Sequence, residues 1–287
     1  RVLFRSRGYQ SHPWLMEKLT PIKLVADIFA DKYKNLYNSV SYDGSEMDKL
    51  VNHIDTLVSN SIGTNTSHIN SVSVDKLVEA TSKLKRGKHD GDLGHYADHI
   101  INGTPLLNVH LSCLFSSMLI HGTAPEGLTK IMLNPIPKDK RKSKSDSENY
   151  RGIALSSILG KILDWIILIE NSDQLSTSDL QFGFKSNSST VQCTYTLLGC
   201  FNYYTSNDTD INLVFIDASK AFDRVNYVKL FKLLLKRGVS PVICRLLLKL
   251  YTKQKVQVVW KNAITEPFSC SNGVKQGAVL SPILFGI

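Results

Sequence analysis

Residues 214–223, VFIDASKAFD, are the stretch from which the fold of this chain is most directly inferred. The run that leads into it, residues 211–216, is short and rich in β-branched and aromatic residues, and it predicts a buried strand. Asp217 follows the run, so a carboxylate is expected at the end of that strand. A carboxylate in this place, beside the exposed amides of a tight connection, can hold a divalent metal next to phosphates. An ordinary helix cap uses the same residue types, and the spacing alone favours the cap.

A second block lies nearer the end of the chain, at residues 273–282, GVKQGAVLSP. A glycine beside Gln276 lets the backbone come close to a flat ligand, because glycine has no side chain. Ser281 and Pro282 are residue types that begin a helix. Taken alone, this block predicts no more than a turn.

Two further segments, residues 135–138 (PIPK) and residues 149–155 (NYRGIAL), flank a basic loop. Proline keeps the residue before it out of the helical region, so the first segment is predicted to be extended. Paired in a hairpin-like arrangement, the two segments would bring Lys138 and Arg151 together. Two cations held in that way suit a triphosphate.

The distribution of charge favours a polyanionic partner. The formal net charge is +9, from 34 basic and 25 acidic residues, whereas residues 1–82 carry nine of each and cancel. The excess is concentrated at residues 83–88 and at residues 130–161, which hold eight basic and three acidic residues. Such patches bind phosphate backbones with release of counterions, although a single basic run can be a solvated loop. Residues 181–185, QFGFK, add an aromatic and basic patch suited to stacking and phosphate contact.

Length and composition exclude several classes of protein. With 287 residues, 43% apolar and 21% charged, the chain is predicted to fold rather than to be disordered. No apolar run reaches the ~18–20 residues of a membrane helix, and nothing near Arg1 has the layout of a signal peptide. A nuclear or cytoplasmic protein with no membrane partner is therefore expected. The five cysteines show no zinc spacing, and because the first methionine is Met16 we expect a piece of a longer protein.

Helix signals are spread along the chain, from a mainly helical stretch at residues 1–70 to an unfinished helix near the end. The later helices are predicted from cap residues, with asparagine, serine or threonine at the start and glycine at the end. Helices are predicted at residues 74–87, at 106–120 with closure by Gly122, at 156–169, from Ser189 onward, at 226–238, and from Ser240 onward. A strand is predicted at residues 256–260.

Six blocks occur in a fixed order along the chain. They are residues 84–94 (LKRGKHDGDLG), 134–138 (NPIPK), 149–164 (NYRGIALSSILGKILD), 181–190 (QFGFKSNSST), 215–225 (FIDASKAFDRV) and 272–285 (NGVKQGAVLSPILF). Together they resemble the reverse transcriptases of non-LTR (LINE-type) retrotransposons. The likeness runs from about Lys83 to Ile287, some 205 of the 287 residues.

This resemblance implies an α+β fold of the right-hand polymerase type. Residues 1–70 would be a helical connector, 71–205 the fingers and 206–287 a truncated palm, with the thumb absent. The implied activity is that of an RNA-directed DNA polymerase, which adds deoxynucleotides to a 3′ hydroxyl with two Mg²⁺ ions. The implied partners are an RNA template, a DNA primer or target, and deoxynucleoside triphosphates.

The resemblance also implies roles for individual residues. Asp217 is expected to be the catalytic, metal-binding aspartate. Phe222 is expected to be the aromatic gate that rejects a ribose 2′ hydroxyl by clash. Lys138 and Arg151 are expected to grip the β- and γ-phosphates.

Two larger sets of residues are implied by the same resemblance. The amides expected to hold the triphosphate belong to Ala218, Ser219, Lys220 and Ala221, and the residues expected to line the nucleotide pocket are Gln276 and Gly277. The residues expected to contact nucleic acid are Lys83, Lys85, Arg86, Lys88, Lys140, Arg141, Lys142, Phe182, Phe184 and Lys185.

The chain also departs from the family pattern. The Tyr-x-Asp-Asp hairpin, which carries the other catalytic carboxylates of the family, is expected downstream of Ile287. Residues 96–99, YADH, look like that motif but lack its second aspartate, so they are expected to be a finger segment. Asp223 is expected to face away from the site, near a helix start. We therefore expect this chain alone to bind RNA in a salt-sensitive way but not to polymerise.

Two other functions stay open at this point. A viral RNA-dependent RNA polymerase shares the palm, but such enzymes need a polar group at the position of Phe222 to accept the 2′ hydroxyl. A noncatalytic nucleic-acid-binding remnant of a decayed element would fit a chain that lacks the second set of carboxylates. The sequence does not determine the template, the target site or the oligomeric state.

Overall fold

The computed structural model describes residues 21–61, 71–90, 94–185 and 187–287. Residues 1–20 and 62–70 of the predicted connector, residues 91–93 of the block at 84–94 and residue 186 of the block at 181–190 lie outside the described residues. Helices and a mixed sheet make up the described part, so the expected α+β class is confirmed. The division into connector, fingers and palm stays a prediction.

Helices occur throughout the described ranges, and none of them is both long and apolar enough to span a bilayer. Short 3₁₀ turns lie at Glu126–Leu128, Ser147–Asn149 and Phe222–Arg224. The helices are α1 (Ile22–Leu36), α2 (Gly44–Ser61), α3 (Val74–Ser82), α4 (Ala97–Ile101), α5 (Pro105–His121), α6 (Ile158–Glu170), α7 (Thr190–Ser206), α8 (Tyr227–Lys236), α9 (Pro241–Thr252) and α10 (Ser281–Gly286).

The strands form one five-stranded sheet of order β2-β1-β3-β4, with β5 also paired to β3. Strands β1 and β2 are antiparallel, whereas β1 and β3 run parallel with Ile131 opposite Val256. Parallel strands need a long crossover connection, and helices α6 to α9 provide it here. The strands are β1 (Lys130–Pro137), β2 (Tyr150–Leu155), β3 (Lys255–Trp260), β4 (Ala263–Ile264) and β5 (Phe268–Ser269).

The larger core is helical and lies between α2, α3, α5, α6, α8 and α9. Among its completely buried side chains are Ile54 of α2, Ile162 of α6 and Phe231 of α8. Each such side chain contributes roughly 1.5–3 kcal/mol through removal of apolar surface from water. This core fixes the helices from which the candidate site is built.

A second core lies between helix α1 and the sheet. The buried face of α1 carries Val25, Phe29 and Tyr33. The ring of Phe29 lies 5.0 Å from that of Tyr150 and 5.1 Å from that of Trp260, measured between centroids. Helix α1 is therefore packed onto strands β2 and β3.

Most helix ends fall where cap residues predict them. Gly122 follows α5 with a φ of 58°, and the Asn226 side chain accepts a hydrogen bond (3.0 Å) from the backbone N–H three residues later. The helix predicted to reach Gly87 ends instead at Ser82. The reason is tertiary, because the Asp98 carboxylate accepts a hydrogen bond (2.7 Å) from the N–H of Gly87 and holds this part of the chain in a turn.

The strand predicted at residues 211–216 is wrong, since this segment forms neither strand nor helix. The side chains of Val214, Phe215 and Ile216 are 86%, 82% and 94% exposed. A strand needs a partner for its backbone N–H and C=O groups, and no strand in the described ranges pairs with this segment. Helix α7, which precedes it, has no buried residue among those described.

Candidate nucleotide-binding site

The β1–β2 hairpin brings together the two cations predicted to grip a triphosphate. Ile136 lies opposite Arg151 in the antiparallel register. Lys138 follows directly after β1, and its N–H donates to the carbonyl of Asn149 (2.7 Å), which closes the hairpin. The predicted proximity of Lys138 and Arg151 is thus confirmed, because both lie at the loop end of the same hairpin.

Asn149 organises the basic loop between the two strands. It is buried, its side-chain amide donates to the carbonyl of Asp139 (2.9 Å), and its Oδ1 accepts from the N–H of Asp139 (3.2 Å). Asp139 in turn pairs with Arg141, Nε to Oδ1 at 3.2 Å. The loop is therefore structured at its base, while Lys140, Arg141 and Lys142 are exposed at its tip.

The glutamine-glycine segment lies directly against β2. The N–H of Ala154 donates to the carbonyl of Gln276 (2.8 Å). Gly277 has a φ of 106°, and a Cβ built on it would stand 3.1 Å from the carbonyl oxygen of Ala154. Glycine at 277 therefore serves a close approach to the protein's own backbone at this point.

The residues around Phe222 are joined to the same segment by backbone hydrogen bonds. The N–H of Val274 donates to the carbonyl of Phe222 (2.8 Å), and the N–H of Gly273 donates to the carbonyl of Val225 (2.9 Å). These contacts bring the blocks at 215–225 and 272–285 side by side, although they are separated by two helices and the β3–β5 strands.

Asp223 points into this junction, and the expectation that it faces away is wrong. It is 8% exposed, and its two carboxylate oxygens accept hydrogen bonds from Nε2 of Gln276 at 3.1 and 3.2 Å. Burial raises the pKa of Asp223, and the hydrogen bond from Gln276 and the charges of Lys138, Lys220 and Arg151 oppose that rise. The sequence already carried a signal for this role, because Asp223 belongs to the same short block as Phe222.

Glu148, in the loop of the β1–β2 hairpin, lies beside Lys220 and Lys138. Glu148 Oε2 lies 3.7 Å from Nζ of Lys220, whose backbone has a left-handed φ of 54°. Nζ of Lys138 donates to the backbone carbonyl of Glu148 (2.9 Å). Burial works against ionisation of Glu148, but the charges of Lys32, Lys220 and Lys138 outweigh it and lower its pKa. Sequence reasoning assigned no role to Glu148 or Lys32.

The turn after Asp217 offers free backbone donors. In the described part of the chain, none of the N–H groups of residues 218–221 donates a hydrogen bond to another residue. Residues 218–220 are exposed, and Lys220 brings the turn next to Glu148. The turn can therefore present these amides to an anion.

Phe222 sits between two other rings. Its centroid lies 5.0 Å from that of Phe285 in a stacked arrangement, and 5.9 Å from that of Phe184 in an edge arrangement. Phe184 is exposed and Phe182 is partly buried, so the patch at 181–185 lies beside the candidate site. Lys185 of that patch pairs with Asp179 at 3.1 Å.

The first basic segment, residues 83–88, follows directly after α3. Lys83, Lys85 and Lys88 are exposed, whereas Arg86 Nη1 contacts Asp98 Oδ1 at 3.4 Å. Asp98 therefore has a structural role at the start of α4, in agreement with its exclusion as a catalytic motif.

The expected metal site is incomplete in the described ranges. No group of three or more His, Cys, Asp or Glu side chains among those residues is placed to hold a metal ion. Asp217 is exposed and forms no hydrogen bond or ion pair with another described residue. The residues present do not by themselves fit a pair of Mg²⁺ ions.

Comparison with known proteins identifies the family. The family described as "Reverse transcriptase (RNA-dependent DNA polymerase)" matches residues 136–287. The chain is 28% identical over 229 residues to a probable RNA-directed DNA polymerase from transposon BS of Drosophila melanogaster, which covers 76% of this chain and 24% of that protein. It is 27% identical over 222 residues to the RNA-directed DNA polymerase from mobile element jockey of Drosophila funebris, covering 75% of this chain and 24% of that protein.

The chain thus spans about a quarter of the length of the curated relatives it matches. The family match covers more than half of the chain and includes the end of β1, all of β2, the turn at 218–221 and the glutamine-glycine segment. The site and the match agree in position, and the chain belongs to the reverse transcriptase (RNA-dependent DNA polymerase) family.

Proposed function

We propose that this chain carries the nucleotide-binding part of an RNA-directed DNA polymerase from a non-LTR (LINE-type) retrotransposon. The complete protein would extend a DNA primer on an RNA template by adding deoxynucleotides to the 3′ hydroxyl. The family match and the polymerase relatives support this proposal. Its place of action would be the nucleus and the cytoplasm.

The observation that carries the proposal is the convergence of cations at one junction. Lys138 and Arg151 come from the β1–β2 hairpin and Lys220 from the turn after Asp217. Phosphoryl transfer depends mainly on positioning and on neutralising charge around the phosphates. The lysines and the arginine would hold the triphosphate, and the N–H groups of residues 218–221 would add hydrogen bonds to it.

Gln276 and Phe222 would orient the rest of the nucleotide. The hydrogen bonds from Gln276 to Asp223 hold the glutamine side chain in one position. The ring of Phe222 is held by Phe285 and Phe184, so it would present a fixed wall to the sugar. A fixed phenyl ring rejects a 2′ hydroxyl by clash, and this favours deoxynucleotides over ribonucleotides.

Reverse transcriptases generally use divalent metal ions, which neutralise the charge that develops on the phosphates during transfer. In the complete protein Asp217 would be one of several ligands of the two Mg²⁺ ions. Fingers at 71–205 and a palm from 206 onward would place the basic segments along the nucleic acid. The contacts would come from residues 83–88, 140–142 and 182–185.

The test is binding of dTTP to the purified chain by titration calorimetry. Lys138→Ala and Arg151→Ala should each weaken binding about tenfold or more, because each removes a charge-assisted hydrogen bond worth ~1.5–3 kcal/mol. Lys144→Ala is the matched control, since Lys144 is an exposed lysine of the same loop. Equal dissociation constants in all four proteins would refute the assignment.

A noncatalytic, nucleic-acid-binding role is the second candidate, and the incomplete metal site favours it for this chain alone. Under either reading the chain should bind RNA with an affinity that falls steeply with salt. A primer-extension assay distinguishes a chain that polymerises from a noncatalytic chain that only binds nucleic acid. We expect no extension by this chain with Mg²⁺ and deoxynucleotides, and extension that is abolished by Asp217→Asn would overturn that expectation.

A further inference from the structure

Lys32 of helix α1 lies beside the candidate nucleotide site, although α1 is outside the region that matches the family. Nζ of Lys32 lies 3.3 Å from Oε1 of Glu148 and also donates to the backbone carbonyl of Ser147. The Lys32 side chain is only 13% exposed. The family match begins at residue 136, so family motifs assign nothing to this residue.

The position of Lys32 is set by packing. Its neighbour Tyr33 and the preceding Phe29 are buried against the sheet, where Phe29 contacts Tyr150 and Trp260. Tyr150 is the first residue of β2 and lies next to the 3₁₀ turn that carries Glu148. Helix α1 and the hairpin therefore form one packed unit, which holds the lysine beside Glu148.

Glu148 lies between cations from three different parts of the chain. Its two carboxylate oxygens face Lys32 and Lys220, and its backbone carbonyl accepts a hydrogen bond from Lys138. Burial lowers the pKa of Lys32, Glu148 opposes that shift, and the charges of Lys138 and Lys220 add to it. The negative charge of Glu148 therefore compensates only part of the repulsion among Lys32, Lys138 and Lys220.

The charge balance of this region favours a polyanion. Two carboxylates are set against four cations, so an excess of positive charge is held in place by the fold. Such an excess is relieved when an anion with several negative charges binds. The group, hereafter the cationic cluster, consists of Lys32, Lys138, Arg151, Lys220, Glu148 and Asp223.

We propose that Lys32 is a polyphosphate-binding residue of the nucleotide site, and that Glu148 is the internal counter-ion which a bound polyphosphate replaces. This inference rests on the proposed function, because it extends the triphosphate site to a helix outside the family match. When a polyphosphate binds, one of its oxygens takes the place of the Glu148 carboxylate and accepts a hydrogen bond from Lys32. Glu148 then turns outward, which its exposed place on the loop allows.

The test is titration calorimetry of the purified chain with inorganic triphosphate at low salt. Lys32→Met should weaken binding about tenfold or more, because one charge-assisted contact is lost. Lys34→Met is its control, since Lys34 is exposed on the same helix. Glu148→Gln should tighten binding several-fold, because the competing anion is removed, and Glu266→Gln controls for the loss of an exposed negative charge elsewhere.

The outcomes separate this inference from the proposed function. If Lys138→Ala weakens triphosphate binding and Lys32→Met does not, Lys32 is outside the site and only the inference fails. If neither variant changes binding, the proposed function fails as well. If Glu148→Gln weakens binding, Glu148 is a structural support and not a counter-ion. Should Lys32→Met lose its cooperative thermal unfolding, Lys32→Arg decides, because it keeps the charge and should retain binding within a few-fold.

Discussion

The charge of Lys275 acts on the carboxyl group of Asp164, and the effect of removing that charge should depend strongly on pH. Oδ2 of Asp164, on α6, accepts hydrogen bonds from the N–H groups of Val279 (3.2 Å) and Leu280 (3.5 Å). Desolvation raises the pKa of Asp164 to about 6, and the charge of Lys275 is the largest influence in the opposite direction. These hydrogen bonds attach α6 to the segment that follows Gln276.

The cost of Lys275→Met follows from these contacts. One pKa unit corresponds to 1.36 kcal/mol, so a rise from 3.8 to about 6 already costs about 3 kcal/mol of folding free energy once Asp164 is ionised. Removing Lys275 raises that pKa further. Loss of one partner of a fully buried ion pair costs about 3–5 kcal/mol. Asp164 and Lys275 are only partly buried and no salt bridge joins these two described residues, so we expect a smaller cost of about 2 kcal/mol at pH 7.5.

The sign of the pH dependence is fixed by the raised pKa. A carboxyl whose folded pKa lies above its unfolded value favours the folded state at low pH and loses that contribution as the pH rises through the folded pKa. Lys275→Met should therefore be only slightly destabilised at pH 5, where Asp164 is largely protonated, and clearly destabilised at pH 7.5. Urea unfolding of both proteins at the two pH values measures this.

Lys253→Met is the control, because Lys253 is an exposed lysine just after α9. We expect its free energy of unfolding to match that of the parent chain at both pH values, within about 0.5 kcal/mol. An equal loss of stability at pH 5 and pH 7.5 in Lys275→Met would show that Lys275 acts through packing, for example through its contact 5.8 Å from the Tyr251 ring centroid. The electrostatic reasoning would then be refuted.

Three further outcomes are expected. Gly277→Ala should lower the free energy of unfolding by about 1–3 kcal/mol in a urea titration, because alanine is strained at a φ of 106° and its Cβ would meet the carbonyl of Ala154; unchanged stability would show that this segment can shift. Asn226→Ala should cost about 1 kcal/mol of stability in thermal unfolding through loss of the α8 cap, and Asn226→Ser should recover most of it. In the full-length polymerase, Phe222→Val should raise ribonucleotide incorporation at least about tenfold relative to deoxynucleotide incorporation in primer extension; an unchanged ratio would place the sugar gate elsewhere.

Features that depend on a few neighbouring residues were predictable from the chain alone. Gly122 ends α5 in a left-handed conformation and Asn226 caps α8, as their residue types indicate. The prolines of β1 and the loop that follows give the hairpin, and with it the proximity of Lys138 and Arg151. The order of the six blocks pointed to the family that the comparison confirms.

Features that depend on distant partners could not be read from local pattern. Residues 211–216 have the composition of a strand, yet a strand forms only where another strand accepts its hydrogen bonds, and no described strand does so. The direction of Asp223 is set by Gln276, which lies 53 residues further along the chain. Lys32 reaches Ser147, 115 residues away, only because α1 packs on the sheet. Propensity and caps act over a few residues, whereas the environment of a charged side chain is created by whichever segments the packed core brings beside it.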